Sequence, residues 1–277
     1  MTWGSSMRYR LLAIDLDETL LNENSQISPR SKRAIREAVN RGVIITISTG
    51  RMYRTSIPYV RELALNTDWP MINYQGALIK TTESGEVLYH RPLENELAVA
   101  AASAAEAFGE EACAYVEERL YINRENRYSL YYRQKYDVTV EVVGPLDLFL
   151  EKQGWNPTKI TVFNWNGKFE KIKEAVEPCY RDKITMLEPY PFFLEFTDRR
   201  ATKGQALQRL TLELGIRREE IIAFGDSNND IDMIQYAGLG VAVANAVPEV
   251  LEAADLVTAA NTEDGVARVI EEYVLCR

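Results

Sequence analysis

Apolar and polar positions alternate one way at the two ends of the chain and another way between them. From Arg10, short and wholly apolar runs alternate with amphipathic segments. Leu11 to Ile14 is apolar throughout and stops at Asp15, the pattern of a strand buried on both faces. Ser28-Pro29 supplies a hydroxyl N-cap and a first-turn proline for a helix to Arg41, which Gly42 can terminate. Val43 to Ser48 reads as the next strand, and Thr49-Gly50-Arg51 leads into a helical segment in which Pro58 predicts a kink or a late start. The C-terminal third repeats the style, with helices over Thr202 to Leu214 and Asp230 to Tyr236, one opened by Pro248, and a last one from Gly265 to Val274. Strands are expected at Ile221 to Phe224, Gly240 to Ala244 and Leu256 to Thr258. Strands and helices joined by short links predict a parallel sheet covered on both faces. Between about Ser84 and Phe192 the strands are instead β-branched or aromatic and come in pairs, such as Ala114 to Val116 with Leu120 to Ile122. An α+β module inserted into an α/β core, with crossings near residues 82 and 196, accounts for the change.

The length of 277 residues leaves room for two domains, and 46% hydrophobic with 26% charged residues is a folding composition. Lys and Arg total 32 against 41 Asp and Glu, net −9, so the basic excess that phosphate-backbone binding exploits is missing and nucleic acid is not an expected partner. Three widely spaced cysteines, Cys113, Cys179 and Cys276, argue against a disulfide framework or a cysteine zinc site and fit a reducing cytoplasm. The run ending at Ile14 is too short for a signal peptide. Ala98 to Ala107 is interrupted by Ser103 and Glu106 and falls short of the roughly 20 residues that cross a bilayer, so no membrane association is expected. Met1 to Ser6 precede a second methionine, carry no pattern and read as an extension.

The candidate chemistry lies where apolar strands stop. Asp15-Leu16-Asp17 places two carboxylates at the carboxyl end of a strand, the edge at which open α/β sheets bind ligands. Gly225-Asp226-Ser227-Asn228-Asn229-Asp230 follows a second such strand. Acidic groups from two strand ends suit Mg²⁺, which prefers a few carboxylates, water and phosphate oxygens. Asp226, Asn228, Asp230 and Asp232 imitate the start of an EF-hand loop, but Ile231 and Ala237 stand where that loop needs Gly and Glu, which excludes it. Ser48-Thr49-Gly50-Arg51, at the opening of a helix, brings a hydroxyl and backbone N–H groups to an anion-favouring position, and Lys203-Gly204 opens another helix.

Together these four ordered motifs resemble the haloacid dehalogenase superfamily of phosphohydrolases, in its Cof-like branch with the larger α/β (type IIB) cap. The resemblance extends from Arg8 onward, with two departures: Glu18 stands where many members have Gly, and Asn73-Tyr74-Gln75-Gly76-Ala77 replaces the commoner Asn-Gly-Ala form. It implies a doubly wound, mostly parallel Rossmann-like core of residues 7–82 and 196–277, with the active site in a cleft beneath a substrate-selecting α+β cap of residues 83–195. By the same resemblance Asp15 is the nucleophile that forms an aspartyl phosphate, and Asp17 is the acid for the leaving oxygen and the base for water. Lys203, Thr49, Gly50 and Asn229 would bind the phosphoryl group. Mg²⁺ would be held by Asp15, Asp226 and the backbone carbonyl of Asp17, with Thr19 and Asp230 in support.

The implied activity is Mg²⁺-dependent hydrolysis of a small phosphorylated metabolite, either a sugar phosphate or a phosphorylated cofactor such as FMN or pyridoxal phosphate, by a monomer or weak homodimer. A phosphomutase of the phosphomannomutase type and a catalytically silent phosphometabolite-binding regulator are the alternatives. P-type ion pumping fails for want of membrane helices. His90, the single histidine, is expected to be structural, the tyrosines with Trp155 and Trp165 mostly core of the inserted module, and Gly238-x-Gly240 a turn.

Overall fold

The computed structural model describes residues 8–63, 68–163 and 165–276; the amino-terminal extension lies outside them. The chain divides into two compact units, one ending at Tyr89 and resuming at Thr202, the other His90–Ala201.

The first unit opens with β1 (Leu11–Ile14), α1 (Pro29–Asn40), β2 (Ile44–Ile47) and α2 (Tyr53–Leu63), followed by β3 (Pro70–Asn73), β4 (Leu78–Thr81) and β5 (Val87–His90). Ser28 caps α1 as its sequence predicts, its Oγ accepting from the Ser31 N–H at 3.0 Å. Pro58 neither delays nor ends α2, which runs through it. The second unit contains α3 (Asn95–Ala107), β6 (Glu111–Val116), β7 (Arg119–Ile122), α4 (Arg127–Tyr136), β8 (Val140–Val142) and α5 (Leu146–Gln153). It closes with β9 (Lys159–Phe163), α6 (Phe169–Tyr180), β10 (Ile184–Tyr190) and β11 (Phe193–Asp198). Its strands form one sheet in the order β10-β11-β9-β6-β7-β8, antiparallel except for the β7–β8 pair. Ala112, Ala114, Ile160, Val162, Leu194 and Phe196 alternate onto one face and pack against α3, α5 and α6. Back in the first unit come α7 (Lys203–Glu213), β12 (Ile221–Gly225), α8 (Ile231–Tyr236), β13 (Leu239–Ala242), α9 (Pro248–Ala253), β14 (Leu256–Val257) and α10 (Gly265–Val269).

The units divide later than residues 82 and 196. Strand β5 extends the β3–β4 hairpin sheet, and β11 stays paired with β10 as far as Asp198, opposite Ile184. Backbone hydrogen bonding therefore carries each crossing past the point where the composition changes.

The main sheet of the first unit is parallel, in the order β14-β13-β12-β1-β2. Leu12, Ile14, Ile45, Ile47, Ile222 and Phe224 face a core completed by α1 and α10. Leu11, Ala13, Ile221 and Ala223 face the opposite core with α7 and α8. Both faces are covered, as the apolar runs predict, which makes the unit doubly wound. The chain proceeds from β1 to β2 in one direction and from β12 to β13 and β14 in the other. The carboxyl ends of β1 and β12 thus form the switch point, where a doubly wound sheet opens a ligand crevice.

Candidate active site

Asp15 leaves β1 at this switch point, its N–H donating to the Phe224 carbonyl of β12 at 3.1 Å. The backbone turns sharply after it: Asp17 is extended and Glu18 is left-handed at φ 58° with its side chain exposed. A left-handed residue here explains why glycine suits the position; glutamate is accommodated because its side chain reaches solvent. The turn brings Thr19 back so that its hydroxyl donates to Asp226 Oδ1 at 2.6 Å.

Gly225 ends β12 where a side chain has no room, since a Cβ there would lie 2.4 Å from the Cβ of Asp230. Asp230 can therefore fold over the strand end, where its Oδ2 accepts from the Asp226 and Ser227 N–H groups, both at 3.1 Å. Its Oδ1 accepts from Lys203 Nζ at 2.6 Å, and the same ammonium donates to Asp15 Oδ1 at 2.6 Å. A lysine in the first turn of α7 has the wrong sign for the helix dipole; the two buried carboxylates offset this. Burial pulls the Lys203 pKa down, but Asp15 and then Asp230 outweigh it and the net shift is upward. Burial raises the Asp15 pKa well above the carboxylate range, Lys203 opposes it, and Asp230, Asp226 and Asp17 add to it. Asp226 is raised chiefly by burial, against the hydroxyls of Ser227 and Thr19.

Asp15, Asp226 and Asp230 each offer one oxygen within 4.8 Å of the others. Asp15 Oδ2 accepts no hydrogen bond from the described residues, and each Asp226 oxygen receives a single hydroxyl. An all-carboxylate donor set with open lone pairs and an excess of negative charge fits a hard divalent cation. The Asp17 carboxylate stands apart from this set, gripped by Nε and Nη2 of Arg51, whose guanidinium also lies 5.0 Å from the Tyr59 ring centroid. Asp232 packs against the backbone position of Gly204.

The Thr49 loop sits beside β3: the Thr49 N–H donates to the Ile72 carbonyl at 2.9 Å, and its hydroxyl accepts from the Arg51 N–H at 3.1 Å. Gly50 is packed against the Gln75 amide, and Asn229 Nδ2 donates to Gln75 Oε1 at 2.7 Å. The structure thus gathers Asp15, Lys203, Asp226, Asp230 and Thr19 into one hydrogen-bonded cluster. Gly50 and Asn229 meet at Gln75, and Asp17 pairs with Arg51. The residue order alone assigns no part to Arg51 or Gln75; its signals for them are the position of Arg51 next to Gly50 and the departure of the Gln75 loop from its usual form. His90 Nε2 lies 2.9 Å from Thr158 Oγ1, outside this cluster.

A profile of haloacid dehalogenase-like hydrolases matches residues 12–270. The chain belongs to this family. The 5-amino-6-(5-phospho-D-ribitylamino)uracil phosphatase YitU of Bacillus subtilis (strain 168) is 30% identical, over 95% of this chain and 97% of that protein. A haloacid dehalogenase-like hydrolase from Bacteroides thetaiotaomicron superposes with a TM-score of 0.85 at 29% identity, covering 95% and 99% of the two chains. The subclass IIB sugar phosphatase BT4131 superposes at 0.78 with 25% identity, covering 95% and 98%. The protein is a Cof-like phosphatase, a phosphoric monoester hydrolase, and its acidic cluster accords with the metal dependence general to the family.

Proposed function

We propose that this phosphatase hydrolyses a small phosphorylated metabolite through an aspartyl phosphate on Asp15, with Mg²⁺ as cofactor. The observation that carries the reading is the asymmetry of Asp15: Lys203 fixes Oδ1, while Oδ2 takes no hydrogen bond from the described residues, at the switch point of the sheet. A carboxylate held by one oxygen presents the other as a nucleophile. Mg²⁺, held by Asp15, Asp226 and the Asp17 backbone carbonyl, would supply positive charge against the phosphoryl oxygens.

Asp15 Oδ2 forms a bond to phosphorus as the ester P–O bond breaks, and Asp17 gives its proton to the departing alcohol oxygen. Asp17 then takes a proton from water as that water bonds to phosphorus, breaking the acyl-phosphate P–O bond and releasing inorganic phosphate. Lys203, the Thr49 hydroxyl, Gly50 and Asn229 bind the phosphoryl group and balance its charge. Thr19 and Asp230 position Asp226 and Lys203. Selection among esters falls to the inserted unit. A sugar phosphate or a phosphorylated cofactor is the favoured substrate class; the name of BT4131 supports the sugar phosphate, and that of YitU adds a ribityl phosphate carried on a uracil. Three free cysteines support a reducing, cytoplasmic setting.

The test is phosphate release with Mg²⁺ over a panel of sugar phosphates, polyol phosphates, FMN and pyridoxal phosphate. Release from a subset of the panel is expected. Isomerised sugar phosphate without free phosphate would replace hydrolysis by mutase chemistry, and no turnover of any compound would overturn the reading.

A further inference from the structure

The loop after β3 holds three consecutive residues at positive φ: Tyr74 at 50°, Gln75 at 60° and Gly76 at 104°. Only glycine adopts this region freely, so the two side-chain-bearing residues are strained, and such strain persists where surrounding contacts enforce it. Those contacts are specific. The Tyr74 N–H donates to the Arg51 carbonyl at 3.1 Å and the Gln75 N–H to the Thr49 carbonyl at 3.2 Å. Gly76 lies against the carbonyl of Thr202, the residue before Lys203, so closely that a Cβ would be 2.2 Å from that oxygen.

The strained turn delivers the Gln75 side chain, which is 4% exposed, between two other loops. On one side its Nε2 lies 2.3 Å from where a Cβ on Gly50 would be, so Gly50 has no side chain because Gln75 occupies that space. On the other, its Oε1 accepts from Asn229 Nδ2 at 2.7 Å, while Asn229 Oδ1 is buried and receives no hydrogen bond from the described residues. With one amide oxygen unpartnered, Asn229 has little to orient it apart from Gln75. The loop therefore meets three segments at once: Thr49–Arg51, the turn carrying Asn229, and the start of α7.

We infer that Gln75 is a positioning residue for phosphate, setting the Asn229 amide and the Gly50 backbone in the register that the phosphoryl oxygens require. The inference rests on the phosphatase reading and extends it to a side chain outside the four motifs. Packing alone would be served by any residue of similar volume. Positioning requires the amide.

The test is a double-mutant cycle on inorganic phosphate binding in the presence of Mg²⁺, measured by calorimetry and as competitive inhibition of p-nitrophenyl phosphate hydrolysis. Gln75→Leu keeps the volume and removes the hydrogen bond; it should weaken phosphate binding about tenfold or more, in the range that small misplacements cost. Added to Asn229→Ala, it should weaken binding by clearly less than it does alone, because the share of its effect that passes through Asn229 is already lost. A Gln75→Leu protein within about twofold of wild type, or effects that multiply in the double variant, would overturn the inference. Should Gln75→Leu fail to fold, Gln75→Asn carries the same cycle, being at ease at positive φ and one methylene too short to reach. Absence of ester hydrolysis by the wild type would count against the phosphatase reading alone, since the calorimetric cycle reads phosphate directly.

Discussion

Replacing Lys203 with methionine keeps the length of the side chain and removes its charge. Lys203 is 1% exposed, and the carboxylates it joins, Asp15 and Asp230, are 7% and 0% exposed, each with a 2.6 Å contact. Removing one partner from a buried charge pair costs about 3–5 kcal/mol, because the remaining charge stays desolvated. At about 2–4 °C per kcal/mol for a unit of this size, the melting temperature of metal-free protein should fall by about 6–20 °C. The loss should depend on pH in a definite direction. Burial already raises the Asp15 pKa, and Lys203 is the main influence holding it down. Without Lys203 it rises further. A carboxyl group whose folded pKa exceeds its unfolded value of about 3.9 binds more protons when folded, so stability falls as pH rises from that value through the folded pKa. The gap between wild type and Lys203→Met should therefore be larger at about pH 8 than at about pH 5. Thermal and urea unfolding of metal-free protein, followed by circular dichroism at both pH values, measures it. A loss below about 1 kcal/mol, or a gap that does not change with pH, would refute the placement of Lys203 between two ionisable carboxylates.

Asp226→Ala should remove most of the thermal stabilisation by Mg²⁺ and raise the Mg²⁺ concentration that turnover requires, whereas an unchanged Mg²⁺ titration would take Asp226 out of the metal set. In the wild type, Mg²⁺ affinity should rise with pH and binding should release protons, since the metal displaces them from carboxyl groups of raised pKa; calorimetry in buffers of different ionisation enthalpy reads the release, and its absence would contradict the raised values. Gly76→Ala, which combines φ 104° with a Cβ 2.2 Å from the Thr202 carbonyl, should lose at least about 2 kcal/mol by urea unfolding; wild-type stability would deny that close approach.

What the sequence reveals of this protein is whatever strands and their ends encode locally. Leu11 to Ile14 and Ile221 to Phe224 are apolar on both faces because helices cover both faces, so their burial and the acidic residues beyond them are plain from the residue order. Ser28-Pro29 marks a helix start because the cap is made within one turn. The Gln75 site is different in kind. Its contacts to Gly50 and Asn229 depend on a left-handed turn formed by residues that ordinarily avoid one, and on loops far apart in the chain. The grip of Arg51 on Asp17 likewise spans two strand ends and leaves no periodic trace. The unit boundaries escaped for a third reason: hydrogen bonding carries β5 and β11 past the residues at which composition shifts.

The central claim is that Asp15 carries the phosphoryl group between two half-reactions. Asp17→Asn separates them, because the activated leaving group of p-nitrophenyl phosphate needs no acid while hydrolysis of the aspartyl phosphate needs a base. In folded, Mg²⁺-loaded Asp17→Asn protein, rapid mixing should give a burst of about one equivalent of nitrophenolate per site followed by slow turnover. Mass spectrometry of the acid-quenched protein should find a phosphoryl adduct on Asp15, lost when Asp15→Asn is added. Nitrophenolate release without a burst, or an adduct on any other residue, would contradict the account.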